Sequence, residues 1–244
     1  MDNGIYIALS RQMILFRDLE ATANNIANVN TTGYQSERLL FDDYLVNDGR
    51  KLGSNMAFAR DPTSYRDTTA GTLVRTDNTF DLAISGPGYF QVETPLGARY
   101  TRAGNFQLNG DGVLVTVDGY PVLSADGGEI AIPDNVQNIR INGAGEIITE
   151  DNEFLATVGV VEFVNEQAMN RVGNTLFTAE EEPQPAQQSN VMQGMLEGSN
   201  VNGVTEIVRV IQTNRYTADT AKMIETMYDL ERRTSNTFAR PAQG

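Results

Sequence analysis

Thirty-two acidic residues, eighteen basic ones, no histidine and no cysteine set the limits on what chemistry this chain can do. Without Cys there are no thiolate nucleophiles, disulfides or Cys-based zinc sites. Without His the usual general base and the commonest metal ligand are missing too. Carboxylates, Lys, Tyr and hydroxyls remain. Asp77 with Asp81, or Asp111 with Asp118, are the pairs a glycoside-cleaving site would use. Each sits at a turn or strand edge where solvation accounts for it, and nothing recurs with an acid–base logic. Asn109-Gly-Asp-Gly112 opens like a calcium loop, but the twelfth position from Asn109 is Tyr120 rather than a bidentate Glu, which leaves a hairpin turn. Gly86-Pro-Gly88 has the glycines of a phosphate loop, yet no Lys-Ser/Thr follows and a strand comes next instead of a helix. The expectation is no catalytic, cofactor-binding or metal-binding residue. A secreted carbohydrate-acting enzyme or an adhesin built on the middle of the chain is the rival from a different class.

The elements around these residues are more informative. Residues 203–240 contain no proline or glycine between Val204 and Ala239, and Ile207, Ile211, Ala218, Ala221, Ile224, Met227 and Leu230 follow steps of three and four or their sum. This predicts one helix of roughly 54 Å at about 1.5 Å per residue, long enough to outreach its own domain, with Asn202 as its cap. Near the other terminus Ile5, Leu9, Phe16, Leu19, Ala23 and Ile26 keep a similar rhythm, broken only by Gln12. A short coiled coil and a core-facing amphipathic helix fit that pattern equally. Gln12 either sets register at a seam or faces water. The helix runs into an asparagine-rich stop in which Asn24, Asn25, Asn28 and Asn30 crowd together. Such residues suit helix ends and turns, and their amides can also bond backbone on neighbouring helices.

Between the helices the pattern changes. Residues 35–75 are polar, with Asp48-Gly49, Gly53-Ser54, Asp61-Pro62 and Ala70-Gly71 as turn signals, and predict an extended linker. Residues 76–179 carry short strand patterns separated by Gly-rich turns, among them an alternating Phe80–Ser85 run and Tyr100–Leu108, which predicts an antiparallel β-rich domain. Residues 180–202, with two prolines and a run of glutamates, predict an extended connection. The fold class is thus α+β. Long N- and C-terminal helices (1–34 with the asparagine-rich stop, 203–244) flank the β-rich domain and pair with each other through their apolar seams in a coiled-coil-like manner. The apolar length left over, Met223, Ile224, Met227, Leu230 and Phe238, then needs another subunit.

Charge divides unevenly. Residues 1–40 carry three Arg against four acids and 204–240 six basic residues against five acids, so the net charge of −14 belongs to the middle. That argues against nucleic acid and anionic membrane as partners. No stretch is long and apolar enough to span a bilayer, and MDNGIYIALSRQMILF lacks the basic n-region of a signal peptide.

Three segments carry a resemblance. Ala23–Tyr34 (ANNIANVNTTGY) with the helix before it, Thr76–Val92 and Tyr100–Leu123, and Leu196–Asn202 (LEGSNVN) resemble the signature blocks of the bacterial flagellar rod and hook proteins. Pro87 departs from the polar residue usual in those relatives and stiffens the turn. The resemblance covers nearly the whole chain and is similar to rod proteins rather than to the longer hook. It implies a structural subunit of the basal-body rod, placed in its proximal part with the distal rod as the alternative, and crossing the periplasm. The implied partners are itself, other rod proteins and, during assembly, the flagellar type III export apparatus, with no cofactor. The expected interface residues are the two apolar seams together with Asn24, Asn25, Asn28, Leu196, Asn200, Asn202 and Phe238.

Overall fold

The computed structural model describes residues 2–40, 43–46, 56–59, 63–133, 136 and 139–238, which fall into two compact units. The first holds both helices. α1 (Asp2–Ala27) and α2 (Gly203–Phe238) pack on each other, and α2 is a continuous helix of 36 residues, as its lack of breakers predicts. Asn202 caps it. Its side-chain oxygen accepts from the Thr205 amide at 3.1 Å and its carbonyl from the Glu206 amide at 3.0 Å. In the same unit β1 (Glu37–Leu40) pairs with β4 (Thr63–Arg66), and β2 (Asp43–Val46) forms a hairpin with β3 (Met56–Ala59). β1 and β3 lie against α1. The turn signals at Asp48-Gly49, Gly53-Ser54 and Asp61-Pro62 lie outside the described residues.

The second unit is the antiparallel β-rich region, with strands β5 (Leu73–Arg75), β6 (Leu82–Ser85), β7 (Tyr89–Thr94), β8 (Gly97–Thr101), β9 (Phe106–Leu108) and β10 (Leu114–Thr116). β11 (Ile139–Ile141), β12 (Glu146–Thr149), β13 (Phe154–Thr157), β14 (Val160–Glu162), β15 (Asn170–Val172) and β16 (Leu176–Thr178) follow. β17 (Gln184–Pro185), β18 (Asn190–Gln193) and β19 (Met195–Glu197) complete it. A six-stranded sheet in the order β15-β16-β8-β7-β14-β17 is its spine. Successive side chains of a strand point to opposite faces, so Tyr89 and Phe90 on β7 enter different cores. Phe90 meets Phe106 edge-on at 5.1 Å among Leu82, Ile84, Leu114, Ile130 and Ile147. Tyr89 meets Phe177 at 5.9 Å on the other side, where Tyr100 and Phe163 stack at 4.7 Å.

Three local expectations need correction. The Phe80–Ser85 run does not alternate, because Leu82, Ala83 and Ile84 are all buried and β6 is covered on both faces. Tyr100–Leu108 is two strands. The chain breaks where Arg102 turns inward and Gly104 passes so close to β6 that a Cβ there would lie 1.7 Å from the Leu82 carbonyl oxygen. Residues 180–202 are extended as read but are not a bare connection, since β18 pairs with β6 and β19 with β5. The composition of that segment hid Val191, which is buried in the main core.

Candidate subunit interface

The helix pair buries a face that only partly coincides with the one its apolar periodicity predicts. On α2 the buried or half-buried residues include Glu206, Val210, Thr213, Thr217, Thr220, Ile224 and Met227, a four-three series, with Arg209 half-buried beside it. On α1 they include Ala8, Gln12, Leu15, Leu19, Thr22 and Ile26, with Asp18 and Asn25 buried beside them. From Glu206 to Thr220 the α2 seam lies one residue earlier than expected, a rotation of about 100°, and on α1 Ala8, Leu15 and Thr22 replace Leu9, Phe16 and Ala23 while Gln12, Leu19 and Ile26 keep their expected places. The large apolar side chains consequently face outward. Leu9, Phe16, Ile207 and Ile211 are 48%, 52%, 53% and 48% exposed, and Ala23, Ala218, Ala221 and Leu230 are exposed with them. Leu19, Ile26, Ile224 and Met227 are half-buried in the seam, as expected. The side chains of Ile5 and Phe238 lie outside the described residues.

Polar contacts explain the rotation. Thr213 Oγ1 donates to Asp18 Oδ2 at 2.9 Å, Arg209 Nη2 stands 3.5 Å from Asp18 Oδ1, and Thr22 Oγ1 donates to the Asp18 carbonyl at 2.7 Å. Small and hydrogen-bonded side chains let the two helices approach, while bulky apolar ones on adjacent positions stay outside. Sequence reading missed Asp18, Arg209 and Thr213. The one signal available was that Asp18 and Asn25 stand a heptad apart on a helix otherwise read by its apolar residues.

The asparagines hold backbone. Asn25 is buried against β1, giving its side-chain amide to the Glu37 carbonyl at 2.8 Å and accepting from the Glu37 amide at 3.0 Å. Asn24 is exposed on the helix. In the β-rich unit Asn28 closes a turn with Thr31, and Gly33, at φ +67°, comes so near Ala103 that a Cβ would sit 2.3 Å from its amide nitrogen. Asn200 accepts from the Ser36 amide at 2.7 Å and donates to the carbonyls of Asp67 and Thr69 at 2.8 and 3.0 Å. The two signature segments therefore meet, Gly33 donating to the Glu197 carbonyl at 2.8 Å and Asn200 to that of Tyr34 at 3.2 Å. Leu196 is half-buried on β19 opposite Val74.

Glu197 is the second charged group that the sequence did not single out. Its side chain and that of Arg102 are each 3% exposed and 3.4 Å apart. The Gly71 amide donates to the same carboxylate at 3.0 Å, and Arg102 donates to the Gly86 carbonyl at 2.9 Å. Burial pushes the Glu197 carboxyl above its ordinary value against the opposing pull of Arg102 and the Gly71 amide. Burial likewise raises the Tyr89 phenol, whose oxygen donates to Glu166 at 3.1 Å.

None of this assembles a reaction centre. Asp77 is an exposed partner of Arg75 at 2.6 Å, and Asp81 accepts from the Asn78 amide at 3.0 Å. Asn109 Oδ1 takes the amides of Asp111 and Val113, both at 2.9 Å, to close the hairpin between β9 and β10. Among the described residues no three His, Cys, Asp or Glu side chains group as metal ligands, and no helix is long and apolar enough to cross a membrane.

Comparison with known proteins assigns the same segments. The family described as flagella basal body rod protein matches residues 5–35, the flagellar hook protein FlgE/F/G D1 domain matches 83–149, and the flagellar basal body rod FlgEFG protein C-terminal matches 192–237. The flagellar basal-body rod protein FlgF of Caulobacter vibrioides is 37% identical over 95% of this chain and 96% of its own. This chain belongs to the flagellar basal-body rod protein family. FlgF of Mesorhizobium japonicum is 33% identical over 92% of each chain, and FlgG of Bacillus subtilis is 32% identical over 93% of this chain and 95% of its own. The family is structural rather than enzymatic, so the rod-family chain is to be understood through what its surfaces bind. α1 with the asparagine-rich stop carries one family match, the β-rich unit another, and β18, β19 and α2 the third.

Proposed function

We propose that this chain is a subunit of the proximal part of the rod, joining copies of itself and other rod proteins through the outward apolar faces of α1 and α2. The observation that carries the reading is the set of large apolar side chains, Leu9, Phe16, Ile207 and Ile211, left exposed on a helix pair whose own seam mixes small and polar residues with Leu15, Leu19, Val210 and Ile224. Each such residue, once buried, contributes about 1.5–3 kcal/mol. A contact between one face and a different face of the next copy repeats without closing and builds a filament. In that tube α1 and α2 make coiled-coil-like contacts with neighbouring helices, and Ile5, Asn24, Ile26, Asn28, Leu196 and Phe238 are counted among the proposed interface residues. Asn25, Asn200 and Asn202 act through the backbone they hold. The rod so built crosses the periplasm as a driveshaft carrying motor torque to the hook. Subunits reach it through the flagellar type III export apparatus, and a chain without cysteine suits that route.

Phe16→Asp and Ile211→Asp test this, because both sites are exposed within the chain. We expect each variant to keep the parent's thermal transition and to leave cells without completed rods. Basal bodies of normal length and normal swimming in both variants would defeat the reading.

A further inference from the structure

We infer that Asp18, Thr213 and Arg209 form a register lock, which selects one axial alignment of α1 against α2. A seam of small and apolar residues repeating every seven positions tolerates sliding by a whole heptad, since each knob meets an equivalent hole. Here the alternatives are not equivalent. In the observed alignment the Asp18 carboxylate, on a residue 8% exposed, takes the Thr213 hydroxyl at 2.9 Å and the Arg209 guanidinium at 3.5 Å. A slip of one heptad in one direction replaces these partners by Glu206 and Asn202, setting two carboxylates against each other on the buried face. The opposite slip replaces them by Thr220 and Tyr216, which offers a hydroxyl but no cation. Either displacement amounts to about 10 Å along the axis. Only one alignment gives the buried charge both a donor and a counter-ion, and an uncompensated buried carboxylate is what the others cost.

The lock concerns the helix pair within one chain, so it stands or falls separately from the assembly reading. Because the chain has no cysteine, Glu20→Cys and Asn214→Cys at exposed positions give two unique sites for nitroxide labels on the full-length protein. Pulsed electron–electron resonance on the labelled parent should show one narrow distance. Asp18→Leu with Thr213→Leu should add a second population displaced by about 10 Å while helix content by circular dichroism is unchanged. Thr213→Val, which removes only the hydroxyl, should broaden the distribution, and Thr213→Ser should restore the narrow one. If the double variant loses helix, the Val and Ser pair decides. A broad distribution in the parent, or a narrow and unshifted one in Thr213→Val, would overturn the lock.

Discussion

At the scale of single residues, the buried polar groups do work that no apolar count reveals. Glu197 ties together a loop amide, a guanidinium and the strand that leads toward α2, all out of water. Its charged form is the costly one in the folded state, because burial raises its carboxyl above the ordinary value of 4.5. Stability linked to this group is therefore greatest below the unfolded value and declines as pH rises through the folded one. Glu197→Gln removes that titration, so the parent should lose stability relative to the variant as pH is raised from below 4.5 to neutrality. Thermal melts across that range check it, and a difference independent of pH would contradict it. Arg102→Leu should cost about 3–5 kcal/mol at neutral pH, since it leaves a buried carboxylate without its counter-ion. These two residues were hard to find in the sequence because Glu and Arg are ordinarily solvated. Glu197 lay inside the LEGSNVN signature, but only the pairing of β19 with β5 and the turn of the chain at Arg102 face them toward each other.

At the scale of elements, the helices were legible in existence and length but not in phase. The absence of breakers and the Asn202 cap set α2 as one piece, and the four-three rhythm established that both helices have a partnered face. The phase is settled by contacts between Asp18 and residues 195 positions away, such as Thr213, which periodicity within one helix does not contain. Ile211→Pro tests α2 as a mechanical element. Proline there removes a backbone hydrogen bond and clashes with the preceding turn, at about 3 kcal/mol. We expect assembly to be lost while the β-rich unit melts at the parent's temperature, followed by the Tyr89 and Tyr100 environments in near-ultraviolet dichroism. Rods of normal length with that variant would argue against a load-carrying α2. The β strands were legible where apolar residues alternate or cluster, as in β7, and illegible in 180–202, where prolines and glutamates outnumber the few buried side chains that pin β18.

At the scale of the whole molecule, charge and shape of surface divide the labour. The helical ends are nearly neutral and expose apolar faces, whereas the middle carries essentially all of the net charge of −14. Copies brought together by their helices must hold like-charged middles near one another. Screening that repulsion should help: raising ionic strength from about 0.01 to 0.15 M shortens the Debye length from about 30 to 8 Å. We expect purified chain to assemble faster and at lower concentration across that range, measured by light scattering and sedimentation. Slower assembly with added salt would show that charge attraction, rather than apolar contact, drives the association.

The sequence by itself determined the class of this protein. It carries neither a thiol nor an imidazole; its signature blocks mark the rod family, and its ends are long helices around a β-rich middle. The tertiary structure alone decided which side of each helix is buried inside the chain and which is left exposed. Two neighbouring heptad phases satisfy the same periodicity, and the choice between them comes from hydrogen bonds and an ion pair formed across the full length of the chain. The Asp18–Thr213 hydrogen bond and the Arg209–Asp18 ion pair hold polar residues in the inner seam, and the bulky apolar Leu9, Phe16, Ile207 and Ile211 are left on the surface.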